Sequence, residues 1–372
     1  MNSPFRFASN ERPSLGVEIE LQLVDDRSMA LRSGIGQVLE ALPKELLDSV
    51  KPELMQCYLE INTGICRDVP EVERDLRPKI EAVAEAAAKS GLGLFWGATH
   101  PFSPWQEQEV TPNERYQGLI DLLQDMARRL VTFGLHVHVG LDSGDKAIMV
   151  CDRIMGHLPT LLALSCNSPF WNRRNTGMRS HRVKVMEGLP TAGLPPLMRN
   201  WSEYMWLMNH MVETGFITTI REIWWDVRPH HNFGTVEVRI CDMPPDLPSV
   251  LGLTALIQCL VVDLSQEIDR GTYQFDCHPM MVRQNKWRAC RFGMDATLVD
   301  PTNRKSYPAR QVVRELVERL GPTAEELGCG EALRSVLDMT ERPNGAERQL
   351  AIHRETGDLA EVVRRMMEIS RL

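Results

Sequence analysis

The chain has 372 residues, of which 43% are hydrophobic and 25% are charged, and its net charge at pH 7 is −8. This composition is ordinary for a soluble globular protein, and the acidic balance disfavours nucleic acid or an anionic membrane as the main partner. The nine cysteines are scattered, without a C-x-x-C pair, which indicates reduced thiols in a cytoplasmic protein.

We expect neither a signal peptide at the start of the chain nor a membrane-spanning segment in its interior. The first residues lack the apolar run of a signal peptide. The most apolar segment, 251–264, is fourteen residues long, which we expect to be too short to span a bilayer. We find no repeat, low-complexity tract or long linker, so residues 1–372 are expected to form a single catalytic domain.

Helical periodicity and end signals predict helices at 69–90, 113–131, 145–165, 201–213 and 246–269, and several more after Arg310. Pro78 is expected to kink or split the first of them. Between residues 166 and 200 the chain is rich in Pro, Gly, Asn and Arg and has little periodicity. A loop of that length inside one domain is usually functional or mobile.

Four segments instead alternate with a period of two, namely 17–24, 57–62, 135–141 and 235–240. Each places aliphatic side chains on one face and polar side chains on the other, as expected of a strand with one face on the core. Clean alternation is typical of an antiparallel or mixed sheet that carries helices on one face and water or a ligand on the other. The sequence therefore predicts an α+β fold.

The polar faces of these strands carry chemically unusual residues: Glu18, Glu20, Glu60, His136, His138, Glu237 and Arg239. Taken strand by strand, they are also compatible with a plain solvent-facing surface. If the strands are neighbours, however, carboxylates about 6.6 Å apart repel each other by about 2.5 kcal/mol at an effective dielectric near 20. A bound cation would offset that repulsion.

An oxygen-rich set with one or two imidazoles and no thiolate suits Mg²⁺ or Mn²⁺ better than zinc. Such a cluster can bind nucleotide phosphates and neutralise charge during phosphoryl transfer. Arg239 could stabilise the transferred phosphoryl group, or it could form a salt bridge with a glutamate. The sequence has no G-x-x-x-x-G-K-[ST] motif, so an ATP site would be built on the sheet and its metals.

Six ordered motifs carry a family resemblance: GVEIEL (16–21), PELMQCYLEINTG (52–64), GATHPF (97–102), HVHVG (136–140), NSPFWNRRNTGMRSHR (167–182) and GTVEVRICD (234–242). Through them the chain resembles the type 2 glutamate–cysteine ligases and, within these, the carboxylate–amine ligase subfamily. The resemblance covers about residues 12–320. The segment from about 321 to 372 is expected to be helical and carries no motif.

The resemblance implies a glutamine-synthetase-like fold, in which an antiparallel sheet forms a funnel with helices on its outer face. It also implies ATP and Mg²⁺ or Mn²⁺ as cofactors. The implied reaction joins the γ-carboxylate of glutamate to the amine of cysteine through an acyl phosphate. Its partners are small molecules, with no nucleic acid and no membrane, and we expect a homo-oligomer.

The resemblance also assigns roles by position in the motifs. The implied metal ligands are Glu18, Glu20, Glu53, Glu60, His138 and Glu237. Arg239 is implied as the catalytic, phosphate-facing residue. The implied substrate- or ATP-binding residues are Arg239, Arg182, Asn62, Thr63 and His136.

Other functions stay open at this point. The same carboxylate and histidine cluster could activate water in a metal-dependent hydrolase. The ligase chemistry could act on a different acid and amine. The fold could also serve a binding protein without turnover.

Overall fold

The computed structural model describes residues 6–272 and 278–372. Cys277 therefore lies outside the described residues. The other eight cysteines are free and buried.

The strands and helices follow in chain order. The strands are β1 (Leu15–Asp25), β2 (Val50–Pro52), β3 (Tyr58–Asn62), β4 (Leu92–Phe95), β5 (Gly134–Gly140), β6 (Phe170–Trp171), β7 (Arg174–Asn175), β8 (Ala192–Gly193), β9 (Trp224–Trp225), β10 (Val227–His230), β11 (Thr235–Asp242), β12 (Thr297–Asp300) and β13 (Lys305–Pro308). The helices are α1 (Ile35–Ala41), α2 (Val69–Ala88), α3 (Glu114–Leu123), α4 (Asp125–Arg128), α5 (Gly144–Ile154), α6 (Leu158–Ser165), α7 (Arg182–Met186), α8 (Trp201–Glu213), α9 (Leu247–Asp269), α10 (Pro279–Phe292), α11 (Ala309–Glu326), α12 (Gly330–Glu341), α13 (Gly345–Thr356) and α14 (Leu359–Ile369).

One antiparallel sheet organises the molecule. Its strand order is β10-β11-β5-β1-β3-β2, and β4 pairs with the second half of β1. The four strands with alternating sequences are consecutive in this order. They are therefore neighbours, as the repulsion between their carboxylates requires. The prediction of an α+β fold is confirmed.

The two faces of the sheet differ as the alternation predicts. On β1, Val17, Ile19 and Leu21 are at most 1% exposed, whereas Glu18 and Glu20 are only partly buried. The apolar face packs against α2, α5, α6 and α9. The polar face is left for the site described below.

Helix α9 is the central element of the apolar layer. The Asp246 side chain caps it by accepting the main-chain N–H of Ser249. At 23 residues it is long enough to cross a membrane, so the expectation based on a fourteen-residue segment is wrong about length. Most of its residues, and most of the 144–165 segment, are buried inside the fold, which is typical of core helices.

Three predicted helices differ in detail from those observed. Helix α2 runs through Pro78 without a break, because its buried face, including Leu76 and Ile80, holds it against the core. The 113–131 segment divides into α3 and α4 at Gln124, where φ is +50°. The 145–165 segment divides into α5 and α6 at a 3-10 turn just before Pro159, which lacks an N–H to continue the hydrogen-bond ladder.

The C-terminal helices complete the core. Leu333 and Val336 of α12 join the main cluster beneath α9. Val362 and Met366 of α14 pack against Phe95 in a smaller cluster. The segment after residue 320 is therefore helical, as predicted, and packs on the fold rather than extending from it.

Candidate active site

Strand register brings the acidic residues of β1 and β3 together with an imidazole of β5. Glu20 lies opposite Glu60 on β3, and Glu18 lies opposite His136 on β5. Directly paired residues in an antiparallel sheet have neighbouring side chains on one face. The Nδ1 atom of His136 is 3.2 Å from an oxygen of Glu18.

The next strands extend this face with alternating charge. His138 pairs with Glu237 on β11, and Glu237 pairs with Arg228 on β10. The buried Glu237 carboxylate accepts a 2.7 Å hydrogen bond from Nε of Arg228 and is also bonded to Arg239. Although burial opposes ionisation, these two guanidinium groups hold the pKa of Glu237 well below its usual value.

The carboxylates on the β1–β3 side have less compensation. Burial, and next the charge of Glu20, raise the pKa of Glu53 to about 7. Burial raises the pKa of Glu60 well above its usual value, and Glu18 and Glu53 add to the effect. Glu18 itself has a lowered pKa, because the neighbouring imidazoles of His136 and His138 outweigh the effect of its burial. This side of the site therefore holds more negative charge than the protein neutralises.

The unpaired imidazole nitrogens show where a cation would fit. Among the described residues, Nε2 of His136 and Nε2 of His138 are buried without a hydrogen-bond partner. Nδ1 of His138 lies 3.0 Å from the Thr235 hydroxyl, while its Nε2 lies 3.4 Å from a Glu18 oxygen. A nitrogen lone pair that faces a carboxylate oxygen fits a site with a positive ion between them.

Within the described part of the chain, two groups of side chains offer ligand atoms within 4.8 Å of one another. They are Glu18 with His136 and Glu237, and Glu20 with Glu60 and His136. Because these sets are dominated by carboxylate oxygen, they suit Mg²⁺ or Mn²⁺.

All of these residues except Glu237 line one cavity of about 340 Å³. Four carboxylates and several cations share it: Glu18, Glu20, Glu53, Glu60, Lys51, Arg115, Arg182, Arg221, Arg228 and Arg239. Carboxylates can hold divalent ions, while guanidinium groups bind phosphate and carboxylate. The cavity can therefore hold a metal ion together with anionic ligands.

Arg182, the first residue of α7, also lines this cavity. Its buried guanidinium donates hydrogen bonds to the main-chain oxygens of Arg239 and Ile240, at 3.2 Å and 3.3 Å. Gly134 permits this approach, since a Cβ there would lie 2.3 Å from Nη2 of Arg182. Nε of Arg182 is buried and has no hydrogen-bond partner in the described part of the chain.

Two residues implied as substrate-binding lie off the cavity. The Asn62 amide donates a 2.9 Å hydrogen bond to Glu60, so it contacts the carboxylate cluster without lining the cavity. The Thr63 hydroxyl accepts the main-chain N–H of Val17 at 2.9 Å. The structure does not bring Thr63 into the cavity, because its hydroxyl is hydrogen-bonded to the main chain of β1.

Sequence reasoning missed several residues of the site. Arg228 belongs to β10, whose sequence VRPH also alternates, with Arg228 and His230 on one face and Val227 on the core. The same period-two test would have found it. Arg115 and Tyr116 reach the cavity from the start of α3, and no motif marked them.

Comparisons with known proteins agree on one family. The model for glutamate-cysteine ligase family 2 matches residues 14–365. A Gloeobacter violaceus protein provisionally named glutamate–cysteine ligase 2 is 44% identical over 360 residues, which is 96% of each chain. A Thermobifida fusca protein with the same provisional name is 42% identical over 361 residues, covering 96% of this chain and 90% of that one.

Solved structures show the same fold at low identity. A bifunctional glutathione synthetase from Pasteurella multocida superposes with a TM-score of 0.70 at 14% identity, covering 96% of this chain and 52% of that one. A glutamate–cysteine ligase from Francisella tularensis, solved in complex with AMP, gives 0.68 at 12% identity, covering 97% and 90%. At this identity the likeness is one of fold.

Proposed function

Because this chain belongs to glutamate–cysteine ligase family 2, a family of carboxylate–amine ligases, we propose that it joins glutamate to cysteine at the expense of ATP. The product is γ-glutamylcysteine, with ADP and phosphate released. One observation carries the proposal. The carboxylates of β1 and β3 meet His136 and Arg239 at a single cavity.

The carboxylate end of the cavity would hold Mg²⁺ or Mn²⁺, through Glu18, Glu20, Glu60 and the histidines. A divalent ion bound there supplies charge neutralisation at the phosphate oxygens of ATP. Burial and the charges of neighbouring carboxylates raise the pKa values of Glu53 and Glu60, and this supports the role.

Arg239 supplies positive charge beside the carboxylates. Its guanidinium is fixed by Glu237 and lies on the cavity lining, so it is oriented before a ligand arrives. A fixed cation at developing phosphoryl charge lowers the barrier without reorganisation. Arg239 therefore stabilises the phosphoryl group during its transfer.

The other cations suit the acid substrate. Lys51, Arg115 and Arg221 line the cavity and have no ion-pair partner among residues 6–272 and 278–372. Arg182 presents a guanidinium whose Nε is also free of partners in the same range. These groups can bind the α-carboxylate of glutamate and leave its γ-carboxylate to react.

The bond changes require no nucleophile from the protein. An oxygen of the substrate γ-carboxylate attacks the γ-phosphorus of ATP, and ADP leaves. The amine nitrogen then attacks the acyl carbon, and phosphate leaves with that carboxylate oxygen. The eight cysteines among the described residues are buried, which fits a reaction without a covalent enzyme intermediate.

We also propose that residues 1–372 act as one catalytic domain in the cytoplasm, as a homo-oligomer, on small molecules alone. ATP is the proposed nucleotide. A different acid or amine would leave the mechanism unchanged, since only the cavity contacts outside the carboxylate cluster would differ.

Phosphate release from ATP with Mg²⁺ tests the proposal, with glutamate and cysteine each omitted in turn. Turnover should need both, and Glu18→Gln should lower kcat at least 100-fold while the protein stays folded. The matched control is Glu40→Gln, an exposed carboxylate on α1, which should behave as wild type. Phosphate release that needs neither substrate would instead identify a hydrolase.

A further inference from the structure

A second large cavity lies apart from the candidate active site. It has a volume of about 750 Å³ and shares no lining residue with the first cavity. The segment that contains Arg179, the turn around Asp295 and the C-terminal helices α12 to α14 form its walls. Its size is in the range of small-molecule sites.

The lining of this cavity carries excess positive charge. It includes three carboxylates and five arginines, namely Arg179, Arg310, Arg342, Arg348 and Arg354. This differs from the whole chain, whose net charge is −8. The net charge of the cavity lining is therefore positive, whereas that of the whole chain is negative.

Each lining carboxylate already has a partner. Asp295 lies 3.5 Å from Arg310, and Glu341 lies 2.6 Å from Arg314, which is outside the cavity lining. Glu347 accepts the main-chain N–H of Asn344 at the start of α13. Because three carboxylates face five arginines and Glu341 is paired with an arginine outside the lining, part of the arginine charge is left unneutralised.

The remaining arginines are under-compensated. Arg342 and Arg348 share the single carboxylate of Asp246, at 3.9 Å and 3.7 Å. Arg179 and Arg354 have no ion-pair partner within the described ranges, and Nε of Arg179 is buried without a hydrogen-bond partner there. A buried N–H donor without a partner, such as Nε of Arg179, is costly unless a ligand satisfies it.

The same cavity has an apolar part. Leu350 and Ile352, each 9% exposed, and Ile369, 37% exposed, line it. An inorganic ion would leave the exposed part of Ile369 uncovered. A ligand with an apolar body and an anionic group would cover it and reach the arginines.

We propose that this cavity binds an organic anion, with its carboxylate or phosphate on Arg179 and Arg354 and its apolar body against Leu350, Ile352 and Ile369. Guanidinium groups bind both kinds of oxyanion through paired N–H donors. The proposal is independent of the ligase function, because none of its residues lines the active-site cavity.

Calorimetric titration of the full chain with two probes tests the site. Phthalate offers carboxylates on an apolar ring, and phenyl phosphate offers a phosphate on the same kind of ring. The double substitution Arg179→Gln with Arg354→Gln, here called the groove variant, removes the two arginines that the proposal places on the anion. The matched control is Arg27→Gln with Arg199→Gln, which removes two exposed arginines elsewhere.

At least one probe should bind wild type and the control variant saturably, and the groove variant should lose at least tenfold in affinity. Tighter binding of phthalate would identify a carboxylate ligand, and tighter binding of phenyl phosphate a phosphate ester. Should the double variant not fold, Arg354→Gln alone removes an exposed side chain and should still weaken binding. No saturable binding to wild type, or equal affinity in folded groove variants, would overturn the proposal.

Discussion

At the scale of single residues, the site depends on how each carboxylate is partnered. Glu237 has two arginines and is held ionised, so it acts as a fixed anchor for Arg228 and Arg239. Glu60 accepts a hydrogen bond from the Asn62 amide and has three carboxylates nearby, and no ion pair to it is found within residues 6–272 and 278–372. Its charge therefore costs free energy until a cation arrives.

Replacing Glu60 by Gln should separate function from stability. Burial raises the pKa of Glu60 in the folded state above its unfolded value, so its contribution to stability is present at low pH and is lost as the pH rises. With EDTA, we expect Glu60→Gln to be more stable than wild type by about 1 kcal/mol at pH 8, and the difference should shrink towards pH 5. Ligase turnover should fall at least 100-fold.

Urea unfolding at the two pH values checks this prediction. Glu40→Gln serves as the control, because Glu40 is exposed on α1. A Glu60→Gln protein that is markedly less stable than wild type at pH 8 would show that the Glu60 charge is already compensated.

A buried histidine outside the site, His100, should make the free energy of unfolding fall at acidic pH. His100 accepts the main-chain N–H of Ser103 at Nδ1, 2.9 Å away, so its proton lies on Nε2, 3.0 Å from the Met29 oxygen. Burial lowers its pKa to about 3. Below about pH 6.5 the unfolded chain takes up a proton that the folded chain does not, so stability falls by about 1.4 kcal/mol per pH unit.

His100→Gln should therefore have a shallower decrease in unfolding free energy between pH 6 and pH 4.5 than wild type. Urea titrations at intervals of half a pH unit measure this slope. Exposed His210→Gln should keep the wild-type slope. Identical slopes for His100→Gln and wild type would contradict the assignment.

At the scale of elements, the strands that form the site could be predicted because alternation is a local property. Glu18, Glu20 and Glu60 were found from their own segments, and strand register then placed them together. Arg115 could not be found this way, since the tertiary packing of α3 brings it to the cavity. The boundary between α3 and α4 was also missed. Nothing in the sequence indicates that Gln124, an ordinary polar residue, has a positive φ.

Gln124 offers a test of that boundary. Its φ of +50° and ψ of −125° are strained for a residue with a Cβ, so Gln124→Gly should raise the unfolding free energy by about 1 kcal/mol. Gln117→Gly, in the regular part of α3, should lower it by about the same amount. Chemical denaturation of both variants measures the two signs, and a loss of stability in both would show that α3 continues through residue 124.

At the scale of the whole molecule, the fold places helices on one face of the sheet and leaves the other for ligands. Alternation predicted this division, and the full burial of Val17 beside the partly exposed Glu18 confirms it. The second cavity could not be foreseen. Arg179 is separated from the other arginines of the cavity by more than a hundred residues and meets Arg354 only because α13 and α14 pack back on the fold.

The central claim is that a substrate carboxylate is activated as an acyl phosphate. The most direct measurement is the transfer of ¹⁸O from glutamate labelled at its γ-carboxylate to inorganic phosphate, by mass spectrometry, during turnover with ATP, Mg²⁺ and cysteine. The account predicts one ¹⁸O atom in each phosphate released. Phosphate that carries no ¹⁸O from glutamate, and takes oxygen from labelled water instead, would contradict it.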